Sequence, residues 1–170
     1  MGFLTVLHDA SGYLGGYLVT NSWGRPLEFR LSSAVQPNRV QQILYGPTLQ
    51  PYLCADVIGK ALVDKAAVAA QLIVTDREAV LELRRKVEVP VVWLAPPDDP
   101  RALARAAGGS AAAPASGARG PLLCHPGFAA DVPRVRGLLA GLDGALDFAE
   151  PFQRIREAVG EARKMGVAGR

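Results

Sequence analysis

The chain is poor in the residues that most often carry cofactors and covalent frameworks. Its 170 residues include only 2 cysteines and 2 histidines. Cys54 and Cys124 are far apart and in no ligand spacing, which argues against a cysteine zinc site and a disulfide framework. A reduced, cytoplasmic protein is the expectation. No run approaches the roughly 18–20 apolar residues of a membrane span. The opening MGFLTVLHD has neither a basic n-region nor a long apolar h-region, so no membrane association or export is expected. A strong charge of one sign is lacking too. The net charge is +3, with 9 basic against 10 acidic residues in the first hundred positions and 10 against 6 in the remainder. Such a tail is compatible with nucleic acid as a partner without demanding it.

What is present is apolar material for one domain with a core, with 49% hydrophobic residues and 21% charged. The most informative stretch runs from Ala70 to Leu83. Leu72, Ile73 and Val74 have the pattern of a strand buried on both faces, and Asp76 follows at its C-terminal end. Ala79, Val80 and Leu83 then separate from the charged residues at helical spacing, so Asp76 stands at a strand-to-helix corner. In open α/β sheets such corners bind ligands, although helix N-capping is the plainer use of an Asp there.

Taken in order, Phe3 to His8 reads as a strand ending in Asp9. Gly15 and Gly16 permit close backbone approach or a bulge, Tyr17 to Thr20 reads as a second strand, and alternating Leu27, Phe29 and Leu31 as a third. These three form an expected antiparallel meander. A short helix over Arg39 to Leu44 and a longer one from about Thr48 to Ala69 follow. Gly59 in the latter suggests close packing on a sheet, since a helical Gly costs roughly 1 kcal/mol relative to Ala. The Leu72 strand, its helix and a fifth strand over Val89 to Leu94 complete a core over residues 1–107. Strand–helix–strand connections of this length run parallel, so the Leu72 strand should lie parallel to a neighbour. If that neighbour is the first strand, Asp9 and Asp76 end up side by side. Residues 108–120 contain no large apolar side chain and read as a flexible linker. Residues 121–170 read as a helical extension with two amphipathic helices, the second opened by Asp147 and Glu150 at capping-box spacing.

Several short motifs agree with this order. Asp9-Ala10-Ser11 precedes Gly15-Gly16-Tyr17; Val74-Thr75-Asp76 precedes Ala79-Val80; Val92-Trp93-Leu94 precedes Asp98-Asp99 and a helix over residues 102–107. Together they resemble the ribonuclease H-like superfamily over residues 3–107. The resemblance implies an α/β fold with a mixed five-stranded sheet, a three-strand antiparallel meander plus two parallel strands, flanked by helices. It also implies two-metal phosphodiester hydrolysis, with Asp9, Asp76 and Asp98 or Asp99 as ligands to Mg²⁺ or Mn²⁺. The family places a Glu on its first helix; this helix has none, and Asp56 is the nearest substitute. An ordinary i,i+4 pair with Lys60 is the competing use of Asp56.

Ser11, Arg84, Arg85 and Lys86 are candidates for phosphate contact, although a three-residue basic run is more often a solvated helix face. Cys54 reads as a small buried hydrophobe, and His8, alternating with Asp9, as a packed side chain on the opposite strand face. Two functions are expected from different classes. One is a divalent-metal-dependent nuclease. The other is an inactive scaffold of the same architecture, binding a protein partner or a second copy through the amphipathic helices of residues 131–166.

Overall fold

The computed structural model describes residues 1–112, 120–142 and 147–166. β1 (Gly2–Asp9), β2 (Gly12–Thr20) and β3 (Pro26–Leu31) form an antiparallel meander. β4 (Ile73–Thr75) lies parallel to β1 on its other side, and β5 (Val91–Leu94) parallel to β4. The described residues form a sheet of 7 strands, not five, in the order β3-β2-β1-β4-β5-β7-β6. The additions are β6 (Ala111–Ala112) and β7 (Leu122–Cys124), both antiparallel to their neighbours. β6 falls inside the segment read as a linker; its rim of small residues carries no hydrophobic signal, and pairing with β7 supplies the order. The rest of that segment, 113–119, lies outside the described residues. The mixed sheet is compatible with the ribonuclease H-like arrangement.

Both faces of the sheet are covered. On one lies a continuous helical run made of α2 (Leu49–Pro51), a π-helical stretch Tyr52–Gly59, and α3 (Lys60–Lys65). The short α1 (Arg39–Tyr45) precedes it, capped by Asn38 and Gln41, with no buried residue. A Cβ on Gly59 would meet the Cys54 carbonyl at 2.9 Å and the Leu83 and Leu4 side chains at 3.3 and 3.4 Å. Glycine here lets the wide helix settle on β1. The helix expected after Asp76 is a 3₁₀ helix, Glu78–Arg85, with Val80, Leu81 and Leu83 buried; α4 (Pro100–Arg105) follows β5.

On the opposite face lie α5 (Asp131–Ala140) and α6 (Glu150–Lys164). Val132, Val135, Leu139, Phe152, Ile155 and Val159 bury against Phe3, Leu18, Val74 and Val92 of the sheet. Phe3 meets Phe152 edge-on at 5.7 Å, a favoured aromatic geometry. The amphipathic faces, which could dock on the core, on each other or on another chain, are therefore spent on the chain's own core. Asp147 does not form the expected capping box; its carboxylate accepts the Ala149 N–H at 2.9 Å, and Ala149 stands at the N-cap without a side-chain bond. Adjacent glycines serve opposite faces of β2. A side chain on Gly15 would strike Ile58, and one on Gly16 would strike Ile155 of α6.

A buried ion pair ties the two layers at their margin. Arg84 donates to both Asp131 oxygens, at 2.6 and 3.2 Å, and to the Val87 carbonyl at 2.9 Å. Asp131 is only 3% exposed. Its removal would leave a buried guanidinium without its counter-charge, so Asp131→Ala is expected to lower stability by about 3–5 kcal/mol, read by urea denaturation. A chain ending at Gly120 would lose β7, α5 and α6 and leave the second sheet face bare. It is expected to show no cooperative urea transition; a transition at full-length stability would contradict this account of the core.

Candidate functional site

Strand alternation places Thr5, Leu7 and Asp9 of β1 on the face that α6 covers. Asp76, two residues past the buried Val74, points to that face too. The parallel register sets Leu4 opposite Thr75, so Thr5 stands level with Asp76. The Thr5 hydroxyl donates to Asp76 Oδ1 at 2.6 Å, a charge-assisted bond. Asp9 lies four residues further along β1, about 13 Å away at the rise of a strand. The expectation of two neighbouring carboxylates is thus corrected. Their strands are adjacent, but the register keeps the acids out of level.

α6 spans this offset. Arg156 pairs with Asp76 Oδ2 and Arg163 with Asp9 Oδ2. Seven residues of helix rise about 10.5 Å and return to nearly the same side, so one row of α6 serves both acids. Asp9 Oδ1 also accepts from the Ser11 N–H at 2.8 Å and the Ser11 hydroxyl at 2.7 Å, while Arg163 reaches that hydroxyl at 3.3 Å. The Ser11 hydroxyl, then Arg163, hold the Asp9 carboxyl well below the usual carboxylate range. Ser11, expected to meet phosphate, is engaged in this turn.

The other candidate ligands are dispersed. Asp56 lies 3.8 Å from Lys86, not paired with Lys60, whose partner is Asp64. Asp56 lines a cavity with Tyr45 and Tyr52 that adjoins the Asp76 cleft through Pro47, Pro51 and Glu82. Asp99 caps α4, accepting from the N–H groups of Arg101 at 2.9 Å and Ala102 at 3.2 Å. Asp98 is exposed beside it. Among the described residues, no group of three His, Cys, Asp or Glu side chains is placed to hold a metal ion. Of the basic run, Arg84 is committed to Asp131, and Arg85 is exposed, 3.5 Å from Glu82.

One cleft of about 540 Å³ opens at the C-terminal ends of β4 and β5, lined by Asp76, Glu78, Glu82, Asp99, Trp93 and Gln50 among others. Its acids already have partners. Arg105 and Arg101 reach Glu78 at 2.9 and 3.7 Å, and the His125 ring nitrogen Nε2 lies 3.2 Å from Glu82. His125 is buried and its Nδ1 accepts the Gly127 N–H at 3.0 Å, which leaves the proton on Nε2, facing Glu82. Burial pushes both the Cys54 and the Cys124 thiol up to about 11, so neither is poised as a nucleophile. His8 is exposed and stacks on Tyr13 with ring centroids 4.1 Å apart.

Arg156 and Arg163, which from sequence could meet phosphate or form a solvated helix face, instead pair with Asp76 and Asp9. Their spacing of two helical turns was the available signal. In comparisons with known proteins, no family model, no curated protein and no solved structure matches this chain. No helix among the described residues is long and apolar enough to cross a membrane.

The sign of the acid dependence follows from the depressed Asp9 carboxyl. Its contribution to stability is fully present above the unfolded value of about 3.9 and is lost as pH falls from there. Denaturant midpoints of the wild type are expected to drop on acidification below about pH 4 more steeply than those of Asp9→Asn. Equal slopes would mean that the Asp9 pairs contribute nothing to stability.

Proposed function

We propose that this chain is a ribonuclease H-like module without nuclease chemistry, whose strand-end acids are paired by arginines of α6 and whose exposed apolar surface serves protein association. The observation that carries the reading is the pair of arginines on α6 set against Asp76 and Asp9. Asp76, its side chain largely buried under α6, needs counter-charge because burying an unpaired carboxylate is costly. Here the counter-charge comes from the chain itself. The side chains present do not fit the two Mg²⁺ or Mn²⁺ ions of the nuclease reading. Such ions sit about 3.5–4 Å apart, whereas Asp9 and Asp76 are separated by about 13 Å of strand rise, and Asp99 is occupied as a helix cap.

Protein association is favoured by where apolar side chains remain exposed. Trp23, Leu27 and Phe29 cluster at and beside β3, and Val40, Ile43 and Leu44 lie on α1. Nucleic-acid association is less well supported, because Arg84, Arg154, Arg156 and Arg163 all face acids of the same chain.

The nuclease reading keeps one observation in its favour, the shared cleft of Asp76 and Asp99. Incubation with labelled single-stranded and duplex DNA, RNA and hybrid, in Mg²⁺ or Mn²⁺, separates the two. The wild type is expected to cleave no faster than Asp76→Asn. Metal-dependent cleavage that disappears in that variant would overturn the proposed reading.

A further inference from the structure

β3 is an edge strand of the sheet, and its sequence Leu27-Glu28-Phe29-Arg30-Leu31 is charge-complementary to itself when reversed. The Ser32 N–H donates to the Gly15 carbonyl at 3.0 Å. Alternation along an antiparallel ladder then turns the backbone groups of Glu28 and Arg30 toward β2, and those of Phe29 and Leu31 outward. Phe29 is 39% exposed and Leu27 53%. A strand edge with unpaired backbone groups and apolar side chains is a template for another strand. Proline at Pro26 and the bulge that adds Leu27 shorten the usable edge without closing it.

We propose that the occupant of this edge is a second copy of the chain, pairing β3 to β3 antiparallel about a two-fold axis at Phe29. This rests on the protein-association part of the reading above and is independent of whether the acids bind metal. A two-fold interface uses the same patch on both copies. Centred on Phe29, the pairing sets Phe29 against Phe29 of the second copy. It also sets Glu28 against Arg30 of the second copy twice, so each cross-strand pair is favourable. Moving the centre to Glu28 or to Arg30 would oppose like charges, which selects one register. Arg30 is suited to the contact. Its Nε is 2.5 Å from its own Glu28, while its two terminal nitrogens have no partner among the described residues. Glu28 is held in place by the N–H groups of Ala67 at 3.1 Å and Val68 at 2.8 Å, so the charge pattern on that face is fixed before a second copy arrives.

The test combines association with register. Sedimentation of the full chain over a concentration series should show a monomer–dimer equilibrium. Arg30→Glu should shift it toward monomer by tenfold or more, and Leu31→Pro, which removes an outward N–H together with a half-buried leucine side chain, should do the same while keeping a cooperative urea transition. Both native cysteines are buried, so an added thiol reports alone. Phe29→Cys should cross-link into a covalent dimer under mild oxidation, because Cα atoms of a hydrogen-bonded pair lie about 5.5 Å apart, within disulfide reach. Leu31→Cys should not, its two copies being separated by about 13 Å of strand. A monomer at all concentrations, or cross-linking of Leu31→Cys as readily as Phe29→Cys, would overturn the β3 pairing. The protein-association reading would then stand or fall on other partners, and the cleavage assay would still decide the question of catalysis.

Discussion

Everything in this molecule depends on α6 lying flat across the sheet. The helix can approach because β2 offers glycine beneath Ile155 at Gly16. That approach buries Phe152, Ile155 and Val159 on Phe3 and Leu18. A fully buried aliphatic or aromatic side chain contributes about 1.5–3 kcal/mol, so apolar contact holds the helix, and its charged row is then aligned for free with the strand ends. Arg156 and Arg163 find Asp76 and Asp9 because the helix is already there. Exposed ion pairs alone are worth at most about 1 kcal/mol and could not impose this placement.

The charge chemistry of the strand ends follows from that placement. A carboxylate hydrogen-bonded by Thr5 and faced by Arg156 is already neutralised. The same holds for Asp9 between Ser11 and Arg163. With fixed guanidinium groups in place, a divalent ion would have to displace them and would still find the two acids out of level. The acid positions that suggest hydrolysis from sequence are thus the ones that arginines of an already seated helix reach.

Much of this fold is readable in the sequence. The alternation of Leu27, Phe29 and Leu31, the apolar run Leu72 to Val74 and the helical spacing around Leu53 and Leu62 give the meander, the parallel β4 and the covering helix. Parallel neighbours do not reveal their register, however. Whether Asp76 stands level with Thr5 or with Asp9 is a matter of the β1–β4 register, a tertiary property and not a local pattern. β6 and β7 escape notice for another reason: they are too short for periodicity, and they lack the following acid and helical spacing that mark the equally short β4. The faces of α5 and α6 are legible as amphipathic, but their target is tertiary and is spread from Phe3 to Val92, outside any local window.

The most direct test of the central claim, that arginines of α6 and not a metal neutralise the strand-end acids, is calorimetric titration of Mn²⁺ into the full chain. The comparison is wild type against Asp9→Asn/Asp76→Asn. This account expects no saturable heat in either. Saturable binding in the wild type that vanishes in the double variant would contradict it and restore the acids as metal ligands.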